Sequence, residues 1–356
     1  MNSSLYSLTD WLRSQPATSF PKLASISYAN RLNTVEEFLN STVHPEVEKA
    51  ALANNAGYLN NHGIAHIQTV IERAGRLLSH PSEKYPQFSA YEIHLLVLAI
   101  HFHDVGNFFG RQQHEENAKR IMDEMSNIVA EEAVERKAIL SIARAHGGTY
   151  NGSKDTISSL PTSDHVLGFD VRFQPLAAIL RFADELADDF YRASRLAQKL
   201  GQIPERSEIY HAYSRSLQSL KIDPSQGLVD LKFNFNVEDA TRTFGKQVGT
   251  ADNGSPITKH VFLLDEIFER TLKMYLESKY CMRFMSPFTR VDGITVRVEV
   301  FEDENSITPA IDPIGYRLSE SGYPSTDSAL FSQMCPDVRY DGGSLQSELQ
   351  GRQDDV

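Results

Sequence analysis

Cysteine is scarce. Cys281 and Cys335 are the two in 356 residues, too few for a disulfide framework or a thiolate zinc site. Basic clusters are missing as well. The formal net charge is −12 and no run is rich in Lys or Arg, which excludes a broad basic face for long nucleic acid. A small anionic substrate stays compatible, because bound cations reverse the local field inside an acidic protein. No stretch approaches the roughly 20 apolar residues of a membrane span, so no membrane association is expected. Met1 to Pro16 lacks a basic segment followed by an apolar one, so no secretory signal is read and a cytoplasmic location is the default. No internal repeat is found.

What is present is ordinary in bulk and specific in pattern. Hydrophobic residues at 41% and charged residues at 23% suit a globular protein of one large or two modest domains. From about residue 45 to 200 the period is helical. Ile64, Ile67, Val70, Ile71, Ala74, Leu77 and Leu78 recur at three- and four-residue steps. Glu92 to His103 is apolar nearly all round, as in the centre of a bundle. Further helices are expected over Gln113–Val129, over Glu132–His146 (stopped by Gly147-Gly148) and over Leu176–Leu200, with a loop from Gly147 to Asp170. Beyond residue 205, Val229 to Val237 and Ile294 to Val300 alternate as half-buried strands, the first preceded by a turn at Ile222 to Gly227. Ser255-Pro256 reads as the N-terminus of a helix reaching Tyr280. After Phe301 the apolar density falls. The expected fold is therefore mainly α: an N-terminal helical extension over 1–44, a helical bundle over 45–204, an α+β appendage over 205–302, and a disordered tail over 303–356.

Several polar residues occupy apolar faces. His103-Asp104 ends the most hydrophobic helix, where a bare carboxylate is expensive to bury. Asp184 follows Leu180 by four residues, His146 follows Ile142 by four, and His66 lies beside the Ile67/Val70 stripe. Four helices each aim an imidazole or carboxylate inward, and a buried metal centre accounts for them together. Taken singly, each is more simply a hydrogen-bonded core residue. His101 and His103 lie about 200° apart on a helix, so both do not serve one site. His101 is assigned to packing.

At this point a family resemblance becomes specific. His66, then "HFHDVGN" with His103-Asp104, then "RQQHEENAKRI" with His114, then "ARAHGG" with His146, then "LRFADELADD" with Asp184, resembles the HD superfamily of phosphohydrolases. The likeness runs over roughly residues 58 to 195, and the α+β region that follows is similar to the appendage of HD proteins found near Hsp90-like ATPases. The resemblance implies two metal ions: His66, His103, Asp104 and Asp184 on one, and Asp104 bridging to a second held by His114 and His146. Imidazole and carboxylate ligands favour Mn, Fe, Co, Ni or Zn. Such ions activate a water for attack on a nucleotide phosphate ester or anhydride.

Arg111, Arg144 and Arg181 are candidates to grip phosphate oxygens, each with an alternative reading as a surface or ion-pair residue. Arg111 and Asp104 are placed in the catalytic set together with Glu115, which, like His62, could orient a ligand or relay a proton. Asp188-Asp189 read as a solvated helix face. Phe108-Phe109 is a candidate base-stacking pair, with loop packing the simpler reading. The segment carrying the motifs holds neither the GYP signature of cyclic di-GMP phosphodiesterases nor the "HDIGHPPFGH"-like run of dGTP triphosphohydrolases. It has Asn107 where many relatives carry Lys or His. The substrate within the nucleotide class stays open. The rival reading is an HD-fold nucleotide sensor with little catalysis. A partner protein through the α+β unit, or a second copy of the chain, is compatible with either.

Overall fold

A computed structural model describes residues 7–22, 27–53, 63–79, 87–110, 114–187, 203–251, 255–303 and 305–320. Its centre is the helix α5, Ala90–Phe102, in which every residue is buried. The helix starts with a capping box. Ser89 Oγ accepts from the Glu92 amide at 3.2 Å, and Glu92 Oε2 accepts from the Ser89 amide at 2.8 Å. Packed around it are α4 (Ile64–Leu78), α8 (Ala133–Arg144) and α9 (Phe173–Glu185). α4 turns Ile67, Val70, Ala74 and Leu77 inward at helical spacing and leaves its other face wet.

Glu92 does a second job. Its Oε1 accepts from the Arg172 amide at 3.1 Å and from Arg172 Nε at 2.7 Å, while Arg172 Nη2 reaches Oε2 at 2.5 Å. Arg172 is the N-cap residue of α9. The starts of α5 and α9 are thus clamped to one carboxylate.

The N-terminal segment is part of the bundle. α1 (Leu8–Arg13) packs on α4 and α5, and α2 (Tyr28–Phe38) passes through a π-helical turn, Leu39–Val43, into α3 (His44–Ala53). Tyr28 Oη donates to Glu135 Oε1 at 2.8 Å, and Arg31 reaches Glu135 at 3.4 Å and Glu131 at 2.8 Å. Arg31 and Glu135 are both inaccessible, so this pair fixes how α2 sits on α8. The helix expected over Gln113–Val129 is two pieces, α6 (His114–Glu124) and α7 (Ser126–Val129). The loop from Gly147 holds a short hairpin of β1 (Asp164–Val166) and β2 (Phe169–Val171). α9 is found where a longer helix was expected, and residues 188–202 lie outside the described part.

The C-terminal α+β portion is present. α10 (Glu208–Ser216) leads into β3 (Leu217–Asp223), which forms a hairpin with β4 (Leu228–Asn236) through Gly227 at φ 67°. After α11 (Val237–Thr241) comes a separate hairpin of β5 (Thr243–Thr250) and β6 (Pro256–Phe262). The long helix α12 (Leu263–Met285) then crosses back to β7 (Gly293–Phe301), which pairs parallel with β4. β8 (Ile314–Ser319) closes the four-stranded sheet, in the order β3-β4-β7-β8.

Two expectations are corrected. Ser255-Pro256 does not open a helix. The residues after it are β-branched or aromatic at Ile257, Thr258, Val261 and Phe262, and pairing with β5 takes them into a strand whose first residue is the proline. The tail does not begin at Asp303, because Ile314–Ser319 finds six partners along β7 and half-buries Ile314, Tyr316 and Leu318. Residues 321–356 lie outside the described part. Met1–Ser319 form one compact unit. Lys273 and Glu185 at 2.6 Å, Arg181 and Glu277 at 2.9 Å, and Thr289 Oγ1 on the Leu77 carbonyl at 2.6 Å join α12 and the segment after it to the bundle. No described helix is long and apolar enough to cross a membrane.

Candidate metal centre

Five of the residues singled out from sequence meet at one end of the bundle. His66 enters from the first turn of α4, His103 caps the end of α5, Asp104 follows it, His146 comes just after α8, and Asp184 lies in the last turn of α9. His66 Nε2 is 3.2 Å from Asp184 Oδ1 and 3.7 Å from Asp104 Oδ2. His103 Nε2 is 3.3 Å from Asp104 Oδ2 and 3.7 Å from Asp184 Oδ1. His146 Nε2 is 3.8 Å from Asp104 Oδ1. Donor atoms arranged tetrahedrally about an ion at about 2.1 Å are themselves about 3.4 Å apart, so the spacing is that of a ligand set. Two overlapping trios, His66/His103/Asp104 and His103/His146/Asp184, have donor atoms within 4.8 Å of one another.

The ring orientations agree. His103 Nδ1 lies 2.6 Å from the Ile100 carbonyl and His146 Nδ1 lies 2.6 Å from the Ala143 carbonyl. Donation at Nδ1 leaves Nε2 as the lone-pair nitrogen, aimed at the carboxylates. His103 Nε2 is fully buried and has no hydrogen-bond partner. Burial works against a charge on His103, but Asp104 and Asp184 overcome it and hold its pKa well above the ordinary histidine value. Burial likewise opposes ionisation of Asp184, and the imidazoles of His103 and His66 reverse this, holding its carboxyl well below the usual range. These buried groups could hold a metal ion, which would replace the proton as the positive charge between the carboxylates.

Supporting contacts were not legible as such. Asn107 Nδ2 donates to Asp104 Oδ1 at 3.0 Å from the 3-10 turn Val105–Phe109, fixing the carboxylate that faces all three imidazoles. Its position three residues after Asp104 was the available signal. Arg73 Nε donates to the Leu186 carbonyl at 3.3 Å, bracing α4, which carries His66, on the end of α9, which carries Asp184. Thr156 Oγ1 donates to the Ala145 carbonyl at 2.7 Å and steadies the backbone before His146.

The remaining candidates fall into place one by one. α6 begins at His114 and packs on the turn after Asp104, but the side chains of His114 and Glu115 are outside the described part, as are residues His62, Arg111, Asp188 and Asp189 entirely. Arg144 is on the exposed side of α8. Arg181 is committed elsewhere: its guanidinium holds Glu277 at 2.9 and 3.0 Å and also donates to Thr156 and the Lys154 carbonyl. His101 points away from the cluster, with Nδ1 3.3 Å from His44 Nε2 and Nε2 3.6 Å from Glu36, as its angular separation from His103 requires. Phe108 and Phe109 are partly exposed, edge to face, with the Arg120 guanidinium 3.7 Å from the Phe109 ring centre.

Compared with known proteins, the chain matches no curated protein and no solved structure. Among protein families it matches HD-CE over residues 49–245. That segment is more than half of the chain and contains all five clustered residues. The chain belongs to the HD-CE family.

Proposed function

We propose that the protein is a metal-dependent phosphohydrolase that cleaves a phosphate ester or anhydride of a nucleotide. The observation that carries this reading is the environment of His103. An imidazole nitrogen with no hydrogen bond, buried between two carboxylates and with its other nitrogen committed to the backbone, has the arrangement of a ligand rather than of a packing residue. A bound divalent transition ion, or a pair of them, supplies Lewis acidity and a water acidified to near neutrality.

The chain's own residues do the rest. Asp104 turns Oδ2 toward His66 and His103 and Oδ1 toward His146, so one carboxylate reaches across the cluster and would help hold each ion if two were bound. His114 is the expected further ligand. Asn107 keeps Asp104 from rotating. Phe108, partly exposed four residues after Asp104, offers a face for a nucleobase, which supports a nucleotide over inorganic pyrophosphate. Arg111 and Glu115 are assigned to substrate phosphate and to proton transfer.

The test is elemental analysis of the purified protein followed by a metal-dependent screen of nucleotides, with products separated by chromatography. Wild type should release phosphate, pyrophosphate or triphosphate, or open a phosphodiester, only with transition metal. Asp104→Ala should lose metal and turnover together. Absence of bound metal, with no stabilisation by Mn, Fe, Co, Ni or Zn, would sink the metal centre. Metal-loaded wild type that binds a nucleotide but cleaves none would make the domain a sensor.

A further inference from the structure

The helix α12 lies beyond the family match, which ends at residue 245, yet it reaches the support of a candidate ligand. The link is Thr156, which is buried. Its Oγ1 donates to the Ala145 carbonyl at 2.7 Å. That carbonyl and the His146 nitrogen belong to one rigid peptide plane, so the hydroxyl fixes the plane from which the His146 side chain hangs. Ala145 is the C-cap residue of α8, where a carbonyl has no partner within the helix and takes one from elsewhere.

Two side chains of α12 set where that hydroxyl stands. Glu277 grips Arg181 by two parallel contacts, with Nε on Oε2 at 2.9 Å and Nη2 on Oε1 at 3.0 Å. The remaining Nη1 of Arg181 donates to Thr156 Oγ1 and to the Lys154 carbonyl, each at 3.1 Å. A hydroxyl that accepts from Arg181 keeps its single proton for Ala145. Tyr280, about one turn after Glu277, brackets Thr156 from both sides. Its hydroxyl donates to Asp155 Oδ1 at 2.8 Å and accepts from the Ile157 amide at 3.1 Å. The Arg181 guanidinium lies 4.5 Å from the Tyr280 ring centre, so the two supports brace each other.

Arg181 also stands on α9 about one turn before Asp184, so these contacts bear on the His103/His146/Asp184 trio. We propose that α12 positions His146 for a metal ion, with Tyr280 and the Glu277–Arg181 pair acting through Thr156. None of these side chains need touch the ion; they are positioning residues. The inference rests on the reading of His146 as a ligand, and it makes the C-terminal α+β portion a working part of the candidate centre.

Two measurements on the full-length protein test this: imidazole NMR signals before any metal is added, and a cobalt titration followed by visible absorption. The His146 signal is the one lost in His146→Gln. Thr156→Val should shift that signal and weaken cobalt binding about tenfold or more, with an unchanged circular dichroism spectrum. Tyr280→Phe should act in the same direction to a smaller extent. Thr156→Ser keeps the hydroxyl and should match wild type in both measurements. Thr156→Val with the His146 signal in place and wild-type cobalt affinity overturns the proposal. Tyr280→Phe without effect overturns the part assigned to α12, and it decides alone if Thr156→Val does not fold. Wild type that binds no cobalt overturns the metal reading instead, because the imidazole signals are read without metal.

Discussion

Replacing Asn107 by alanine isolates the support of a candidate ligand from the ligand itself. The side chain is 7% exposed and its amide makes one hydrogen bond, Nδ2 to Asp104 Oδ1 at 3.0 Å, while its own Oδ1 has no partner. Truncation therefore removes one interaction and also deletes an unsatisfied oxygen. A hydrogen bond to a charged group contributes about 1.5–3 kcal/mol. The deleted oxygen returns part of that to overall stability, so the fold should lose about 1 kcal/mol or less. Metal affinity has no such offset. Asp104 would lose the donor that orients it toward His66, His103 and His146, and losing a partner of this kind typically weakens binding 10- to 100-fold, or about 1.4–2.7 kcal/mol. Competition against a chromophoric chelator measures the affinity, and urea unfolding of the metal-free protein measures the stability. If metal affinity changes less than about threefold while the fold is intact, Asp104 does not depend on Asn107 and the reasoning fails.

Other perturbations separate architecture from chemistry. Arg181→Met should lower stability by about 1.5–3 kcal/mol in chemical unfolding, through loss of the Glu277 pair, and leave the apparent KM for nucleotide unchanged. Arg31→Met leaves Glu135 buried without its cation and should cost about 3–5 kcal/mol, read as a fall in the urea midpoint at constant slope. Asp155 is partly exposed; its burial opposes ionisation, but hydrogen bonds from Tyr280 and Ser158 and the nearby Arg283 hold its carboxyl below the usual range. Its contribution is present above the unfolded-state value of about 3.9 and is lost as pH falls through the lower folded-state value. Stability curves of wild type and Asp155→Asn should therefore differ at neutral pH and converge in strong acid.

The clustering of the candidate ligands was more legible than the architecture around it. His103-Asp104 could be placed because α5 is the most apolar helix of the chain, so a carboxylate buried at its end called for a compensating charge. His66, His146 and Asp184 were found by the phase of their neighbours, a local property of each helix. β4 and β7 announced themselves by strict alternation. What failed depended on distant partners. β6 was read as a helix start because Ser255-Pro256 is a good local signal, and the competing signal, the β5 strand, is a hairpin away. β8 is three half-buried residues, Ile314, Tyr316 and Leu318, in polar surroundings, and gains its place only from the edge of β7. Arg181 was a phosphate candidate from sequence because Glu277 is 96 residues further on.

The clamp at Glu92 makes the candidate metal centre a matter of length. α5 and α9 are each 13 residues long and start from the same carboxylate. Asp104 and Asp184 each lie 12 residues beyond their end of that clamp, a rise of about 18 Å if helical throughout. The two struts therefore deliver their carboxylates to one level, far from the joint that sets it. One residue inserted in either helix would displace its carboxylate by about 1.5 Å and rotate it by about 100°, enough to dismantle the cluster while leaving every buried apolar contact near the clamp intact.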